Sequence, residues 1–274
     1  MDSSRTSDRW EKGDPYERYV GRWSRRVAPL FLAWLGIPSA RRWLDVGCGT
    51  GALSEAILDR CSPASVVGVD PSDGFLGTAR QALGGRALFQ VGSAASIPLE
   101  RGCVDVVVSG LVLNFVPDLR AALAEMARVA VPRGMIGAYV WDYAGRMDMM
   151  RVFWDAAVEL DPGAADLDEG SRFPLCRPGP LVDAFTGAGL RDVEVTAIDV
   201  PMRFASFDDF WDPFQGGQGP APAYAMALDE AARAGLRDRI RRRMPFQADG
   251  SVSMTARAWA VRGQCPNGDL QEGG

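Results

Sequence analysis

The chain has 274 residues, 47% of them hydrophobic and 24% charged, which is the composition of an ordinary globular protein with a sizeable core. Its formal charge of −5 argues against a nucleic-acid partner, because surfaces that bind phosphates are usually basic. Histidine is absent, which removes the commonest general base and the commonest metal ligand. We therefore expect neither a nucleic-acid-binding protein nor a metal site.

The cysteines and the N-terminal segment indicate in which cellular compartment the protein is found. The chain has five cysteines, an odd number without a CxxC pair, as is typical of free thiols in a reducing compartment. Residues 1–11 are polar and unlike a signal peptide, and the longest lipid-like stretch, residues 27–37, is too short to cross a bilayer. We expect a cytoplasmic protein without a membrane partner, working as a monomer or homodimer.

In chain order, residues 1–14 are predicted to be disordered, and residues 15–37 to form a helix with its apolar side chains on one face. Strands and helices then alternate as far as residue 143. The predicted strands are 42–46, 65–70, 87–91, 104–109 and 135–141, and the predicted helices are 50–60, 72–83 and 118–131, the last N-capped by Asp118. This alternation predicts an α/β fold: a doubly wound, mostly parallel sheet with helices on both faces.

The second half of the chain is less regular. Two stretches, residues 144–175 and 206–250, break the alternation and are predicted to be helical, aromatic-rich cap insertions. A helix over 180–188 and strands over 193–200 and 253–261 complete the pattern. We expect a single domain over residues 15–263, followed by a flexible tail over 264–274.

A glycine-rich loop carries the strongest functional signal. The run LDVGCGTGAL, residues 44–53, follows a predicted strand and opens a predicted helix, so its backbone N–H groups can approach a ligand closely. Asp70 ends the next strand, where a carboxylate can hold ribose hydroxyls. This context favours a nucleotide-type cofactor site over a strand-to-helix turn that binds nothing.

Asp45 distinguishes between two kinds of cofactor. A nicotinamide-binding loop would share Gly47 and Gly49, and Ala52 even fits its looser G-x-G-x-x-A form. A carboxylate two residues before the first glycine would repel a pyrophosphate, whereas it would attract the ammonium and sulfonium groups of S-adenosylmethionine. S-adenosylmethionine is therefore the expected cofactor, and an NAD-dependent oxidoreductase is an alternative.

Four runs, LDVGCGTG, VVGVDPS, VGSAASIPLE and DVVVSGLVLNFVPD, lie within residues 40–142. In this order they resemble the motifs of class I S-adenosylmethionine-dependent methyltransferases. The opening YERYVGRWSRRVAPLFLAWL is similar to the N-terminal helix of many small bacterial members of that family, and the resemblance is to the ubiquinone- and menaquinone-pathway group. It implies a Rossmann-like fold with a seven-stranded sheet, S-adenosylmethionine as cofactor and methyl transfer as activity.

The resemblance also implies a set of cofactor-binding residues. The methionine end of the cofactor is implied to contact Asp45, Gly47, Cys48 and Gly49, and its ribose is implied to contact Asp70 beside Pro71. The adenine is implied to lie near Phe75, Gly92, Ser93 and Ala94. The sulfonium is implied to lie near Ser109 and Leu111. Tyr19 and Arg22 are implied to reach the cofactor carboxylate, which a guanidinium can clamp with two hydrogen bonds. A solvated helix face is the alternative for Arg22. Family members usually carry an aspartate at the position of Ser93, so the hydrogen bond to adenine should be weaker here.

The carboxyl ends of the strands supply the candidate catalytic residues. Methyl transfer from a sulfonium is an in-line displacement, which needs alignment and exclusion of water, and needs a base only when the nucleophile keeps its proton. Ligands of open parallel sheets bind at these strand ends, which predicts Asn114 after the fourth strand and Asp142 and Tyr143 after the fifth. The alternative for Asp142 is a loop residue that caps the following turn.

The insertions bear on the methyl acceptor. Their many aromatic residues would suit an apolar or aromatic small molecule, although most of these rings could form a core instead. The arginine-rich run 237–244 is expected to be the outer face of a helix rather than a nucleic-acid patch. We therefore expect a methyltransferase acting on an O, N or C atom of such a small-molecule substrate. The alternative is a cofactor-binding protein of the same fold with a non-methylating activity.

Overall fold

A computed structural model of the protein describes residues 20–216 and 219–267. The predicted disorder of residues 1–14 lies outside the described residues, and so does most of the predicted tail. Within the described part, the helices are α1 (Arg22–Leu35), α2 (Ala52–Arg60), α3 (Asp73–Leu83), α4 (Leu119–Val129), α5 (Asp148–Leu160), α6 (Glu169–Arg172), α7 (Pro178–Gly187), α8 (Phe207–Trp211), α9 (Pro220–Ala227) and α10 (Glu230–Arg243). Short 3-10 turns cover Gly84–Arg86, Leu113–Phe115, Pro162–Leu167 and Asp212–Gly216.

Seven strands form one sheet. They are β1 (Arg42–Val46), β2 (Ser65–Asp70), β3 (Leu88–Val91), β4 (Val104–Gly110), β5 (Ala130–Trp141), β6 (Arg191–Phe204) and β7 (Val252–Gln264). Their order is β3-β2-β1-β4-β5-β7-β6, and the pairs β3–β2, β2–β1, β1–β4 and β4–β5 are parallel. The predicted seven-stranded, mostly parallel α/β fold is confirmed. β1 lies between β2 and β4, so the loops after these strands meet at one edge of the sheet.

The region between α4 and β5 departs from the prediction. The helix was expected to continue through Val131, but α4 ends at Val129 because Ala130 already pairs with Val104. The next partners are Val106 and Met135, so β5 takes five residues where β4 takes two, and the extra residues bulge out. The predicted helix and strand left the residues PRG at 132–134 unassigned, and the structure places them in this bulge within one longer strand.

The described chain divides into two compact units. The first, which we call the sheet unit, comprises Val27–Val140, Pro178–Ile198 and the described residues from Trp259 onward. Its core includes α1 packed on β5. The rings of Phe31 and Tyr139 lie 4.9 Å apart, and a side chain at Gly137 would collide with Leu35.

The second, the aromatic unit, comprises the described residues up to Arg26, Trp141–Arg177 and the described part of Asp199–Ala258. A chain of five buried rings runs through it, with neighbouring centroids 4.7–5.4 Å apart: Trp23, Phe204, Phe210, Phe214 and Phe153. These rings therefore form the core of the unit. Both predicted insertions fall within its ranges, and the division into one domain with two insertions stays a prediction.

Candidate functional site

The glycine loop is fixed to the end of β2 by backbone hydrogen bonds. The amides of Gly47 and Cys48 donate to the carbonyl oxygen of Val69 over 2.7 and 3.1 Å, and the Gly51 amide donates to the Cys48 carbonyl over 2.9 Å. Gly47, Gly49 and Gly51 have φ angles of 72°, 53° and 90°. Only glycine adopts such angles without strain, so these residues are required by the turn itself.

Asp45 lies at the end of β1 and is 1% exposed. Its Oδ2 accepts a hydrogen bond from the Ser54 hydroxyl over 2.7 Å, whereas its Oδ1 is buried without a partner. Burial raises the pKa of this carboxyl to about 7, the Ser54 bond opposes the rise, and the neighbouring charge of Asp70 adds to it. A buried acceptor of this kind suits a cationic hydrogen-bond donor.

Asp70 ends β2, and its carboxylate supports the loop. Its Oδ2 accepts from the Gly49 amide over 3.0 Å, and its Oδ1 accepts from the Ser72 amide over 2.8 Å. Burial raises the pKa of Asp70, while these two bonds oppose the rise. Each carboxylate oxygen retains a further lone pair that a ribose hydroxyl can use.

We expect Asp70→Ala to weaken S-adenosylmethionine binding strongly. The substitution removes the acceptors for ribose hydroxyls and frees the Gly49 amide, on the order of 1–3 kcal/mol of binding free energy. Calorimetry measures the change, and Asp73→Ala, which removes an exposed aspartate paired with Arg80, is the control. Unchanged affinity in Asp70→Ala would show that the ribose binds elsewhere.

The other predicted cofactor residues of the sheet unit line the same strand ends. Pro71 and Phe75 lie after β2, Phe75 in the first turn of α3, whose N-cap is Ser72. Gly92 follows β3, and its amide donates to the Asp70 carbonyl over 3.2 Å. Beyond it Ser93 forms a two-way backbone bridge with Ser96, and Ala94 lies in the turn between them. Cys48 is buried against Gly68, and burial raises the pKa of its thiol above its usual range, which keeps it protonated.

Ser109 and Leu111 lie at the end of β4. The Ser109 hydroxyl is fully buried and donates to the Val46 carbonyl over 2.9 Å, so it ties β4 to β1. Leu111 has a φ of 62°, which is strained for a non-glycine residue, and its amide donates to the Tyr139 carbonyl. The roles of both residues toward the sulfonium stay predictions.

The candidate catalytic residues are divided between the two units. Asn114 belongs to the sheet unit, and its Nδ2 is buried without a hydrogen-bond partner. Asp142 belongs to the aromatic unit, where its Oδ2 accepts from the Arg146 amide over 2.9 Å, so the geometry supports the turn-capping alternative. Tyr143, also in the aromatic unit, packs its ring 5.7 Å from that of Phe173. The contacts of these three residues do not assign a catalytic role to any of them.

Tyr19 lies outside the described residues. Arg22 begins α1 and belongs to the aromatic unit, where its Nη1 pairs with Asp209 over 3.2 Å. Its guanidinium carbon lies 4.5 Å from the ring centroid of Trp23 and 4.8 Å from that of Phe204. Its Nε and Nη2 are buried without a partner. The solvated helix face that was the alternative for Arg22 does not describe these contacts.

Sequence reasoning missed two residues that shape the loop. Ser54 on α2 holds Asp45, and Val112 packs so closely on Gly47 that a side chain there would lie 2.6 Å from both Val112 methyl groups. The position of Ser54, three residues after Gly51 on the helix that follows the loop, was the available signal for the first. Nothing in the sequence indicates the second, because it depends on the path of the chain after β4.

We expect activity to be indifferent to EDTA. In residues 20–216 and 219–267, no group of three or more cysteines, aspartates and glutamates is arranged to hold a metal ion. Transition metals need such a set of ligands, so chelation should leave the rate unchanged. The rate of S-adenosylhomocysteine formation with and without EDTA checks this, and a loss that added metal restores would contradict it.

The loop fits S-adenosylmethionine on two observations. Asp45 Oδ1 is a buried acceptor without a partner, which suits the cofactor's ammonium group. Nothing lies within 4 Å of the point where a side chain of Gly49 would begin, so there is open space beside the loop. Together with Asp70 at the end of β2, this arrangement defines a Rossmann-like cofactor-binding protein.

Comparison with known proteins identifies the class more closely. Residues 44–137 match the methyltransferase domain family. A trans-aconitate 2-methyltransferase of Variovorax paradoxus is 30% identical over 245 residues, which cover 86% of this chain and 90% of that protein. A malonyl-[acyl-carrier protein] O-methyltransferase of Geobacter sulfurreducens is 33% identical over 184 residues, which cover 66% and 67%. The YcgJ protein of Bacillus subtilis has a similar fold, with a TM-score of 0.58 at 18% identity over 89% of this chain and 99% of that chain.

The chain belongs to the class I S-adenosylmethionine-dependent methyltransferases. It is an enzyme of that class, and its cofactor is S-adenosylmethionine. The NAD-dependent alternative is therefore wrong, as the carboxylate of Asp45 indicated. The closer resemblance to the ubiquinone- and menaquinone-pathway group stays a prediction.

Proposed function

We propose that the enzyme transfers the methyl group of S-adenosylmethionine to a carboxylate oxygen of a small organic acid. The observation that carries this proposal is the kind of polar group left unsatisfied in the aromatic unit. In its described part, the buried side-chain atoms without a hydrogen-bond partner can all donate: Arg22 Nε and Nη2, Trp23 Nε1, Arg151 Nε and the Tyr224 hydroxyl. Buried donors, three of them on the cations of two arginines, are complementary to an anionic acceptor.

The chemistry of a carboxylate acceptor agrees with the composition of the chain. S-adenosylmethionine, when bound, supplies an electrophilic methyl group on a sulfonium. A carboxylate is already ionised near neutral pH, so no residue has to remove a proton from it. The chain then contributes by binding and aligning the acceptor and by excluding water. A sequence without histidine suits a reaction of this kind.

The names of two relatives support the same class of acceptor. Trans-aconitate and a malonyl group, which appear in those names, both carry carboxylate groups. An acid with an apolar or aromatic frame would also use the rings of the aromatic unit, as the sequence predicts. Most of those rings form the core of the unit, however, so the carboxylate is the defining feature of the proposed acceptor.

The cofactor is proposed to be held by the sheet unit as the sequence predicts. Asp45 would accept from the ammonium group, the loop around Gly49 would contact the methionine end, and Asp70 would bind the ribose. The adenine would lie near Phe75 and the turn after Gly92. The orphaned Oδ1 of Asp45 and the open space beside Gly49 support this assignment.

For its location, oligomeric state and partners, we propose what the sequence predicts: a cytoplasmic monomer or homodimer without a nucleic-acid partner. In the described ranges of the chain, no helix has the length and apolarity that a membrane span requires. The formal charge of −5 supports a small-molecule acceptor over a nucleic acid.

The stability of the product toward alkali tests the proposal. The enzyme is incubated with S-adenosylmethionine carrying a labelled methyl group and with trans-aconitate, monoethyl malonate or benzoate. A methyl ester releases labelled methanol in mild alkali, whereas methyl groups on nitrogen, carbon or an ether oxygen are retained. The corresponding primary amides, which have the same carbon frames without an ionised oxygen, are the matched controls.

We expect alkali-labile label with at least one acid and with none of the amides, and S-adenosylhomocysteine in equal amount. An alkali-stable product would contradict carboxylate methylation while leaving methyl transfer in place. Conversion of an acceptor without formation of S-adenosylhomocysteine would support the non-methylating alternative instead.

A further inference from the structure

We propose that the sheet unit has a second binding site, at the edge opposite the cofactor loop, for the phosphate or carboxylate group of a small molecule. The acid group would lie between the guanidinium groups of Arg133 and Arg191. This site is separate from the cofactor site, and its assignment does not rest on the proposed function.

The position of the site follows from the direction of the strands. β1, β4 and β5 run parallel, and the cofactor loop follows the carboxyl end of β1. Arg133 lies near the amino end of β5, in the bulge between Ala130 and Met135, so it is at the opposite edge of the sheet. The end of β7 is joined to this bulge, because the Cys265 amide donates to the Gly134 carbonyl over 2.9 Å.

A cavity of about 210 Å³ opens beside the bulge. Most of the side chains that line it carry N–H donors, and the full lining is Arg133, Arg191, Gln264, Asn267, Asp192 and Cys265. Among these described residues Asp192 is the only acid, against two cations, so the lining is positive on a chain whose formal charge is −5. A positive recess of this size, rich in donors, suits a small anion.

The two guanidinium groups are available to a ligand. Within residues 20–216 and 219–267, the side chains of Arg133 and Arg191 form no ion pair and no hydrogen bond. Arg42, at the same edge of the sheet, instead holds Asp105 with parallel bonds from Nε and Nη2 over 3.0 and 2.8 Å. Paired N–H groups of this kind match the oxygens of a carboxylate or a phosphate. Arg133 and Arg191 keep theirs unused.

The backbone beside the cavity is strained. Arg133 has a φ of 60° and Asp192 a φ of 51°, and they are two of the five non-glycine residues with a left-handed φ in the described part of the chain. Aspartate tolerates this region better than most residues, whereas arginine does not. Strained residues cluster at ligand-binding positions, and a bulge often redirects a side chain beside such a position. A ligand that uses the guanidinium of Arg133 accounts for both features.

Arg133 also lines a second cavity, of about 290 Å³. The lining of this second cavity is largely apolar and includes Ile37, Pro38, Pro132 and Met135. A ligand whose acid group lies between the two arginines would therefore place an apolar frame past Arg133, in the second cavity. The expected ligand is a small acid with an apolar frame.

Phenyl phosphate, phenylacetate and phenylacetamide test the proposal, because each carries a phenyl ring and they differ in the acid group. Calorimetry measures each of them on protein saturated with S-adenosylhomocysteine, so that the cofactor site is filled. The first two distinguish a phosphate from a carboxylate, and the neutral amide is the control for the apolar frame. We expect at least one acid to bind, and the amide to bind about tenfold or more weakly than that acid.

Two substitutions locate the bound acid. Arg133→Gly removes one guanidinium and relieves the strain at this position, and Arg191→Gln removes the other guanidinium outside the bulge. Arg120→Gln is the matched control, because Arg120 is an exposed arginine of α4 that lines neither cavity. We expect each of the first two variants to bind the acid about fivefold or more weakly, and Arg120→Gln to bind it as the wild type does.

Melting temperatures separate a binding role from a structural one. Arg133→Gly should melt at the temperature of the wild type or above it, because glycine adopts left-handed angles without strain. Weaker binding without loss of stability supports the proposal, and Arg191→Gln tests the same pair independently of the strained residue. The proposal is overturned if neither acid binds, or if the amide binds as tightly as the acids. It is also overturned if Arg133→Gly and Arg191→Gln both bind the acid as the wild type does, since the acid is then held elsewhere.

Discussion

Replacing Gly47 with alanine is expected to unfold the cofactor loop and abolish S-adenosylmethionine binding. The residue has a φ of 72°, which an L side chain adopts only with strain, of about 1–2 kcal/mol. The new Cβ would also lie 2.6 Å from both methyl groups of Val112, and overpacking of this kind costs about 1–3 kcal/mol. We expect a loss of about 2–5 kcal/mol in the free energy of unfolding, measured by urea denaturation.

Two further variants separate the causes. Gly49→Ala meets the strain of a φ of 53° but no neighbour within 4 Å, so it should be less destabilising than Gly47→Ala. Its Cβ would occupy the open space beside the loop, so it should still lose cofactor. Val112→Ala should restore part of the stability of Gly47→Ala by making room. Equal unfolding energies for Gly47→Ala and Gly49→Ala would show that contact with Val112 is unimportant.

The parallel half of the fold could be predicted from local pattern. β1 and β2 have the predicted bounds, and Asp118 caps α4 by accepting from the Ala121 amide. These elements are short apolar runs bounded by caps and glycines, so their signals are contained in their own residues. The bulge at Ala130–Met135 was missed because it is set by pairing with β4, which is distant in sequence.

The position of the cofactor loop could be predicted for a similar reason, whereas the residues that bind the methyl acceptor could not. Asp45 and Asp70 end neighbouring parallel strands, so the topology alone brings them to one edge of the sheet. Asp142 also ends a strand, but its carboxylate bonds to the amide of Arg146, which strand position does not reveal. The stacking of Arg22 on Phe204 joins residues 182 positions apart in sequence, and no local pattern encodes it.

The affinity for S-adenosylmethionine is expected to rise with pH up to about neutrality, because Asp45 must be ionised to bind the ammonium group. Burial holds the pKa of Asp45 at about 7 in the free protein. An ammonium beside Oδ1 would lower that pKa, so binding below pH 7 releases a proton and weakens as the pH falls. Affinity should drop about fivefold between pH 7 and pH 6 and approach a tenfold drop per pH unit further below the pKa, the limiting slope for one proton. Above about pH 8 the α-amino group loses its own proton and affinity should fall again.

The stability of the free protein should change with pH in the opposite direction. Because the folded pKa of Asp45 is raised above the unfolded value of about 3.9, its contribution to stability is fully present below pH 4 and is lost as the pH rises through about 7. Glu169, buried and bonded to the Trp154 indole, has a pKa raised to about 7 and acts in the same direction. S-adenosylmethionine should therefore raise the melting temperature more at pH 7.5 than at pH 6.

The substitution Asp45→Asn tests whether Asp45 is the group that causes this pH dependence. The variant keeps the size of the side chain but cannot ionise, so its affinity should be lower at pH 7.5 and should no longer fall between pH 7 and pH 6. Asp73→Asn, at an exposed aspartate of α3, should retain the wild-type profile. Asp70 is the other carboxyl of the site with a raised pKa, and it remains in both variants. If the affinity of Asp45→Asn still falls between pH 7 and pH 6, the fall is caused by protonation of Asp70, and Asp45 does not hold the ammonium group.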